Sequence, residues 1–342
     1  MISWLIEKLI VTLLPIFYGS LVNSVLFLFH LKTCFKNLFA PDYSKRPKVL
    51  DDPEIQHHSV LIKQKKSIHY VTKGNPDDPI IVFIHGFPDF WYSWHHQLIE
   101  FGSKGYYTVA IDLPGYGESY KSLENGRFII TNVADEVAQV IKTIVKSDDQ
   151  KIILVGHDWG AVVSYCIASL HEQLVSKLII LNGPHPVHFR KLIKSNLGQF
   201  LKSWYMFFLN SPFWPEFAFQ TFDFFMLKVA FRKGDKSFIF NNNQLEPWKY
   251  IYSQPSAIKS ALGYYRDFVK RSRFLDHIKL PIHQKMLLIW GDADRALSPQ
   301  LATQISSYVD NVQLEIIKGA GHFIQLEHPK KISKLISEFI KD

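Results

Sequence analysis

Short runs of consecutive apolar residues recur along this chain, separated by stretches whose apolar positions return every three or four residues. Residues 80–84, 107–111, 152–155, 178–181, 286–290 and 313–317 read as strands, five of them short apolar runs. A strand or hairpin pattern covers 59–70, and a turn rich in Gly, Asn, Asp and Pro follows at 73–79. Helical patterns occupy 94–101, 132–145, 161–170 and 330–340. Strands apolar on both faces, alternating with helices, predict a mainly parallel sheet covered on each side. The rhythm breaks after Asn182: residues 184–277 are dense in Phe, Trp and Tyr and read as helical, and the β/α alternation then resumes. An insertion entering at strand ends would lie over a site there as a helical lid.

The amino-terminal region follows a different pattern. Residues 9–31 form an apolar stretch long enough as a helix to cross a bilayer, and they predict one transmembrane helix. Lys8 precedes it, while Lys32, Lys36, Lys45, Arg46 and Lys48 follow, a bias that places the remaining chain in the cytosol, with the endoplasmic reticulum as the expected membrane. The expected organisation is an anchor at 1–34, a linker at 35–54, a first core part at 55–183, a lid at 184–277 and a second core part at 278–342. Of the 342 residues, 47% are hydrophobic and 15% aromatic, which excludes a disordered chain. The formal charge is +8, but residues 1–48 hold six Lys/Arg against two Asp/Glu, and no Walker, finger or RNP-like pattern occurs. No nucleic-acid surface is needed to explain the charge. Cys34 and Cys166 are too few for a disulfide framework and read as reduced thiols.

The chemistry concentrates in residues 152–161, IILVGHDWGA, where a buried strand meets a helix at a glycine-flanked turn. That is a nucleophile elbow with Asp158 in place of serine. A carboxylate there attacks an electrophilic sp3 carbon, such as an epoxide or alkyl halide, and leaves an ester on the enzyme. As an isolated motif it also fits an Asp that caps the following helix. Two further residues follow later strands. Asp294 lies in the loop after 286–290, with Asp292 a rival two positions away, and His322 sits in GAGHF. A carboxylate that is already ionised needs no base, so His322 would activate water against the ester while Asp294 orients it. In the loop His85-Gly86-Phe87-Pro88 the Phe87 backbone N–H, paired with that of Trp159, would form an oxyanion hole. His85, Gly86 and Pro88 shape that loop. The adjacent pairs His57-His58 and His95-His96 read as surface or packing residues, and no spacing suggests a metal site.

Taken together, HGFPD at 85–89, GHDWGA at 156–161, the Asp294 loop and GAGHF resemble the epoxide hydrolase branch of the α/β-hydrolase superfamily, over roughly residues 55–342. The apolar start points to the animal membrane-anchored members. The resemblance implies an α/β-hydrolase fold, a cis Phe87-Pro88 peptide, no cofactor, and two lid tyrosines that hydrogen-bond the epoxide oxygen. These are Tyr205 in SWYMFFL and Tyr265 in ALGYYRD, with Tyr264 beside the latter. A phenol protonated at neutral pH can donate as the alkoxide develops. The aromatic lid and the apolar start suggest lipid or fatty-acid epoxides as substrate and the bilayer as partner. Two other functions fit parts of the pattern. A haloalkane dehalogenase would use Asp158 with Trp159 and one of Trp91, Trp94 or Trp214 as halide donors, and a membrane scaffold would retain a degenerate fold. An esterase would need a serine, and Ser164 lies inside the helix with no elbow around it.

Overall fold

The computed structural model describes residues 13–25, 28, 42–63 and 66–342. Eight strands form one sheet in the order β1-β2-β4-β3-β5-β6-β7-β8. They are β1 (Gln56–Ile62), β2 (Lys66–Lys73), β3 (Ile80–Ile84), β4 (Tyr107–Ile111), β5 (Ile152–His157), β6 (Val175–Leu181), β7 (Lys285–Gly291) and β8 (Val312–Ile317). β1 and β2 pair antiparallel, β2 runs antiparallel to β4, and every pairing from β4 to β8 is parallel. All five residues of β3 are buried, which fits a central strand covered on both faces. The expected strands are therefore present. The pattern at 59–70 is a full hairpin, with Gln56 opposite Thr72 and Ile62 opposite Lys66.

Helices α1 (His95–Gly102), α2 (Ile130–Ile144) and α3 (Trp159–Leu170) cover the sheet. In α2 the apolar stripe Val133, Ala134, Val137, Val140 and Ile141 is buried. Each fully buried Val or Ile there contributes about 1.5–3 kcal/mol. Between β6 and β7 the chain forms eight helices, from Pro186–Ser195 to Gly263–Lys270. They enter at the carboxyl end of β6, the edge of a parallel sheet where loops converge.

The transmembrane helix expected over 9–31 is corrected. No helix among the described residues is long and apolar enough to cross a membrane. The bilayer as a partner, and the single-pass endoplasmic-reticulum placement, fall with it. Residues 13–25 are helical, and one face of that segment packs on protein. Tyr18 stacks on Phe207 at 6.3 Å and approaches Trp204, Gly19 faces Trp214, and the buried Asn23 side chain donates to the Gly19 carbonyl at 2.8 Å. The apolar residues Tyr18 and Val22 thus serve a protein contact. Residues 1–12, 26–27 and 29–41, which hold most of the expected anchor, part of the linker and Cys34, lie outside the described residues. Cys166 is a buried free thiol in α3.

Candidate active site

The turn joining β5 to α3 sets the geometry. Asp158 sits there with φ 52° and ψ −120°, a conformation that side-chain-bearing residues seldom adopt. Neighbouring glycines make room for it. A Cβ on Gly160 would lie 2.2 Å from the Ile84 carbonyl oxygen, so only glycine lets α3 start this close to the end of β3. A Cβ on Gly86 would lie 2.3 Å from Asp158 Oδ1, so glycine also lets the 85–88 loop reach the carboxylate. The Phe87 N–H donates to Asp158 Oδ1 at 2.8 Å, and the Phe87-Pro88 peptide is cis. His85 is buried and accepts the Leu113 N–H on Nε2 at 3.0 Å, so its Nδ1–H points to the Gly86 carbonyl at 2.9 Å. Trp159 is the first residue of α3.

On the other side of Asp158, His322 Nε2 lies 3.4 Å from Oδ2, and His322 Nδ1 donates to Asp294 Oδ2 at 2.7 Å. Asp294 is 1% exposed and fully engaged. Its Oδ1 accepts the Ala296 and Leu297 N–H groups, and the Asn182 amide donates to Oδ2 at 2.7 Å. Asp292 instead accepts the Gly319 N–H at an exposed turn and does not contact His322. Burial alone would push the His322 imidazole down, but Asp294 and Asp158 outweigh it and hold it up to about 10. Burial would raise Asp158 as well, and His322, His157 and the Phe87 N–H reverse that and hold it below its ordinary value. At rest the three groups therefore form an imidazolium between two carboxylates.

Asp158, His322, Phe87, Tyr205 and Tyr265 all line one cavity of about 280 Å³. Asp158, Tyr205 and Tyr265 also border a narrow side chamber walled by Val162, Phe189, Phe268 and Leu297. Burial, followed by the charge of Asp158, keeps both phenols well above 10, so they stay protonated. Tyr264 is turned away, its hydroxyl donating to the Pro114 carbonyl at 2.8 Å. Of the aromatics in the helices between β6 and β7, Trp204, Phe208 and Phe219 line the cavity, whereas Phe213 is 81% exposed and Trp214 and Phe217 also face outward. Neither Trp91 nor Trp94, both fully buried in the core, nor Trp214 lines the cavity. Ser164 is spent on the Gly160 carbonyl.

Three supporting residues escaped the sequence reading. Asn182, just past β6 at φ 35°, bridges Asp294 and the Gly291 N–H, and its one sequence signal is a polar residue directly after a buried strand. His157 lies under His322 and contacts its carbonyl at 3.0 Å, and burial drives its imidazole down to about 3, hence neutral. Asp89 is buried, accepts the Trp248 indole N–H at 2.8 Å, and is pushed up to about 7 by burial.

Two carboxylates and a histidine assembled at strand ends fit an α/β hydrolase, and residues 79–329 match the family model described as the alpha/beta hydrolase fold. The chain is 34% identical to Epoxide hydrolase 1 of Caenorhabditis elegans over 346 residues, covering 99% of this chain and 83% of that protein. It is also 34% identical to human Epoxide hydrolase 4 over 304 residues, 86% of this chain and 82% of that one. A crystal structure of Bacillus megaterium epoxide hydrolase with an inhibitor superposes with a TM-score of 0.73 at 27% identity, over 84% of this chain and all of that one. The chain belongs to the epoxide hydrolase family and hydrolyses epoxides to diols. Its relatives include animal, plant and bacterial proteins, so they establish the family and not a membrane-anchored animal branch.

Proposed function

We propose that hydrolysis runs through a covalent ester on Asp158 and that the substrates are lipid epoxides carrying an acidic end. The observation that carries the ester is the setting of Asp158, with Oδ1 held by the Phe87 N–H and Oδ2 facing the cavity beside His322. Oδ2 attacks an epoxide carbon and the C–O bond breaks. The oxygen takes a proton from Tyr205 or Tyr265, leaving a phenolate. Esterification removes one of the two anions that hold His322 protonated, so the imidazolium gives its proton up and the phenolate is restored. Neutral His322, held by Asp294, then takes a proton from water as the water oxygen attacks the carboxyl carbon. The Phe87 and Trp159 N–H groups stabilise the resulting oxyanion. On collapse the ester C–O bond breaks, the departing oxygen takes the second proton of the attacking water, Asp158 is a carboxylate again, and His322 retains the first. Charges and protons balance over the cycle, and only water is consumed.

The helices over 184–277 serve as the lid that carries the tyrosines and walls the cavity. Its lining is mixed, with Phe208, Leu209, Phe219 and Met226 alongside Arg232, Lys233 and Arg295. None of the three makes a salt bridge among the described residues, although Lys233 lies near Asp235 and Arg232 packs over the Phe238 ring. The nearby Glu327 carboxylate is taken by the Gly234 and Gly321 N–H groups instead. Apolar walls with cations at the rim suit an acyl chain that ends in a carboxylate. A dehalogenase has no comparable need for Tyr205 and Tyr265, because halide departs without a proton.

Two measurements test the reading. Repeated turnover in heavy-oxygen water must label the Asp158 peptide, and an unlabelled Asp158 with diol still forming rules the ester out. A fatty-acid epoxide must show a lower KM than its methyl ester. Equal values remove the acidic end while leaving the ester mechanism intact.

A further inference from the structure

We propose that His57, His69 and Glu118, at the β1–β2 edge of the sheet, form a binding site for a divalent transition-metal ion of zinc type. His57 on β1 and His69 on β2 are diagonal neighbours on one face of the hairpin, since Val71 opposes His57 and Ser59 opposes His69. Glu118 comes from the turn after β4. One ligand atom from each of the three lies within 4.8 Å of the other two.

The hydrogen bonds around the two rings leave a contradiction that a cation resolves. His57 Nε2 contacts the Leu50 carbonyl at 3.0 Å. A carbonyl only accepts, so Nε2 carries the hydrogen. His69 Nδ1 contacts Asp112 Oδ2 at 2.8 Å. That carboxylate also accepts the Trp91 and Glu118 N–H groups at 2.8 and 2.9 Å, so His69 Nδ1 carries its hydrogen too. In their neutral forms, His57 Nδ1 and His69 Nε2 then present bare lone pairs to each other across 3.0 Å. Two lone pairs meet at that distance only around a positive centre. Zinc bound tetrahedrally at Zn–N of about 2.05 Å would set the nitrogens about 3.3 Å apart, a few tenths from where they stand.

The third donor, Glu118, distinguishes a metal site from a proton shared between the rings, which the Asp112 carboxylate beside His69 would also stabilise. Each histidine hands its remote N–H to an oxygen acceptor, the arrangement that orients metal-ligating imidazoles. Asp112 anchors both His69 and the backbone of Glu118, so the ligand set is fixed from behind. Arg46 occupies Oε1 of Glu118, which leaves Oε2 to ligate. His57 and Glu118 are exposed and His69 is buried, so the site is open on one side to an entering ion and a completing water. A metal there would tie β1, β2, the turn after β4 and the 46–50 segment together. The site is separate from the Asp158 cavity and takes no part in epoxide opening.

The test uses the full chain without a histidine tag, stripped with chelator. Zinc titration by calorimetry should give one ion per chain, cobalt should give the absorption of a tetrahedral N/O site, and the melting temperature should rise with zinc concentration. His57→Ala and Glu118→Gln, each hydrolysing epoxide at the wild-type rate as proof of fold, should each bind zinc more than tenfold more weakly. No saturable binding overturns the proposal. So does binding that both variants retain, which would place the zinc on other surface histidines. Nitrogen-15 spectra of the metal-free protein that show one ring of the pair doubly protonated and unmoved by zinc assign the contact to a shared proton, and the metal site falls.

Discussion

The imidazolium of His322 should lose a large part of its protection when Asp158 loses its charge. Asp158→Asn imitates the uncharged ester at nearly the same volume. In the native site Asp158 Oδ2 lies 3.4 Å from His322 Nε2, and both side chains are mostly shielded from solvent, with exposures of 16% and 14%. Two unit charges at that distance attract by about 5 kcal/mol at an effective dielectric constant near 20, equivalent to roughly 3.5 pKa units. Residual solvent screening reduces that figure, and Asp294 keeps its own attraction, so a fall of about 2 units or more is expected. His322 would pass from about 10 in the native protein to near or below 8 in the variant, within reach of neutral pH. The folded value lies above the ordinary one, so the imidazolium stabilises the native protein fully below about pH 6.5. That stabilisation is lost as pH rises through about 10. Long-range proton–nitrogen spectra of histidine-labelled protein read both forms directly, with Asp158→Ala as a second variant. A native His322 that titrates near 6.5, or a variant that still titrates above 9, would refute the proton cycle.

Three further outcomes follow from the same contacts. His322→Ala should accumulate a mass adduct on the Asp158 peptide during single turnover, and turnover without an adduct removes His322 from its role as the water-activating base. Tyr205→Phe and Tyr265→Phe should each lower kcat by roughly 10²–10⁴-fold if each donates a proton in the transition state, and unchanged kcat in both would show that the phenols are packing residues only. Asp89 is held protonated by burial up to about pH 7, so its ionisation lowers stability as pH rises from its ordinary value near 4 through 7, by up to about 4 kcal/mol. Asp89→Asn keeps an acceptor for Trp248 and should flatten that part of the stability-versus-pH curve in chemical denaturation, whereas an unchanged curve would mean that Asp89 is ionised throughout.

The strands and the elbow were legible because their signals are local. A fully buried parallel strand such as β3 must be apolar at every position, and a turn as tight as that at Asp158 needs Gly156 and Gly160 at fixed offsets. Asp294 and His322 were legible as polar residues in the loops after two later strands, because the sheet topology requires such loops to gather at one edge. The choice of Asp294 over Asp292 was not local. It depended on the Asn182 amide and on the Ala296 and Leu297 N–H groups, which reach one aspartate and not the other. Likewise only the fold shows that Tyr265 lines the cavity while the Tyr264 hydroxyl donates to the Pro114 carbonyl.

The apolar start was misread for a related reason. Hydropathy measures how strongly a segment avoids water and says nothing about what shields it. Tyr18 meets Trp204 and Phe207, a contact between residues nearly two hundred positions apart that leaves no mark in the amino-terminal segment. The facing imidazoles of His57 and His69 are more distant still from any motif, since their meeting depends on hairpin register and their proton positions on Leu50 and Asp112. By itself the sequence determined a mainly parallel α/β sheet and the glycine-flanked turn that carries Asp158, because periodicity and turn chemistry act over a few residues. Which carboxylate holds His322, where its proton resides, and what covers the amino-terminal helix were decided by the tertiary structure, because charge, burial and contact depend on neighbours that only the folded chain brings together.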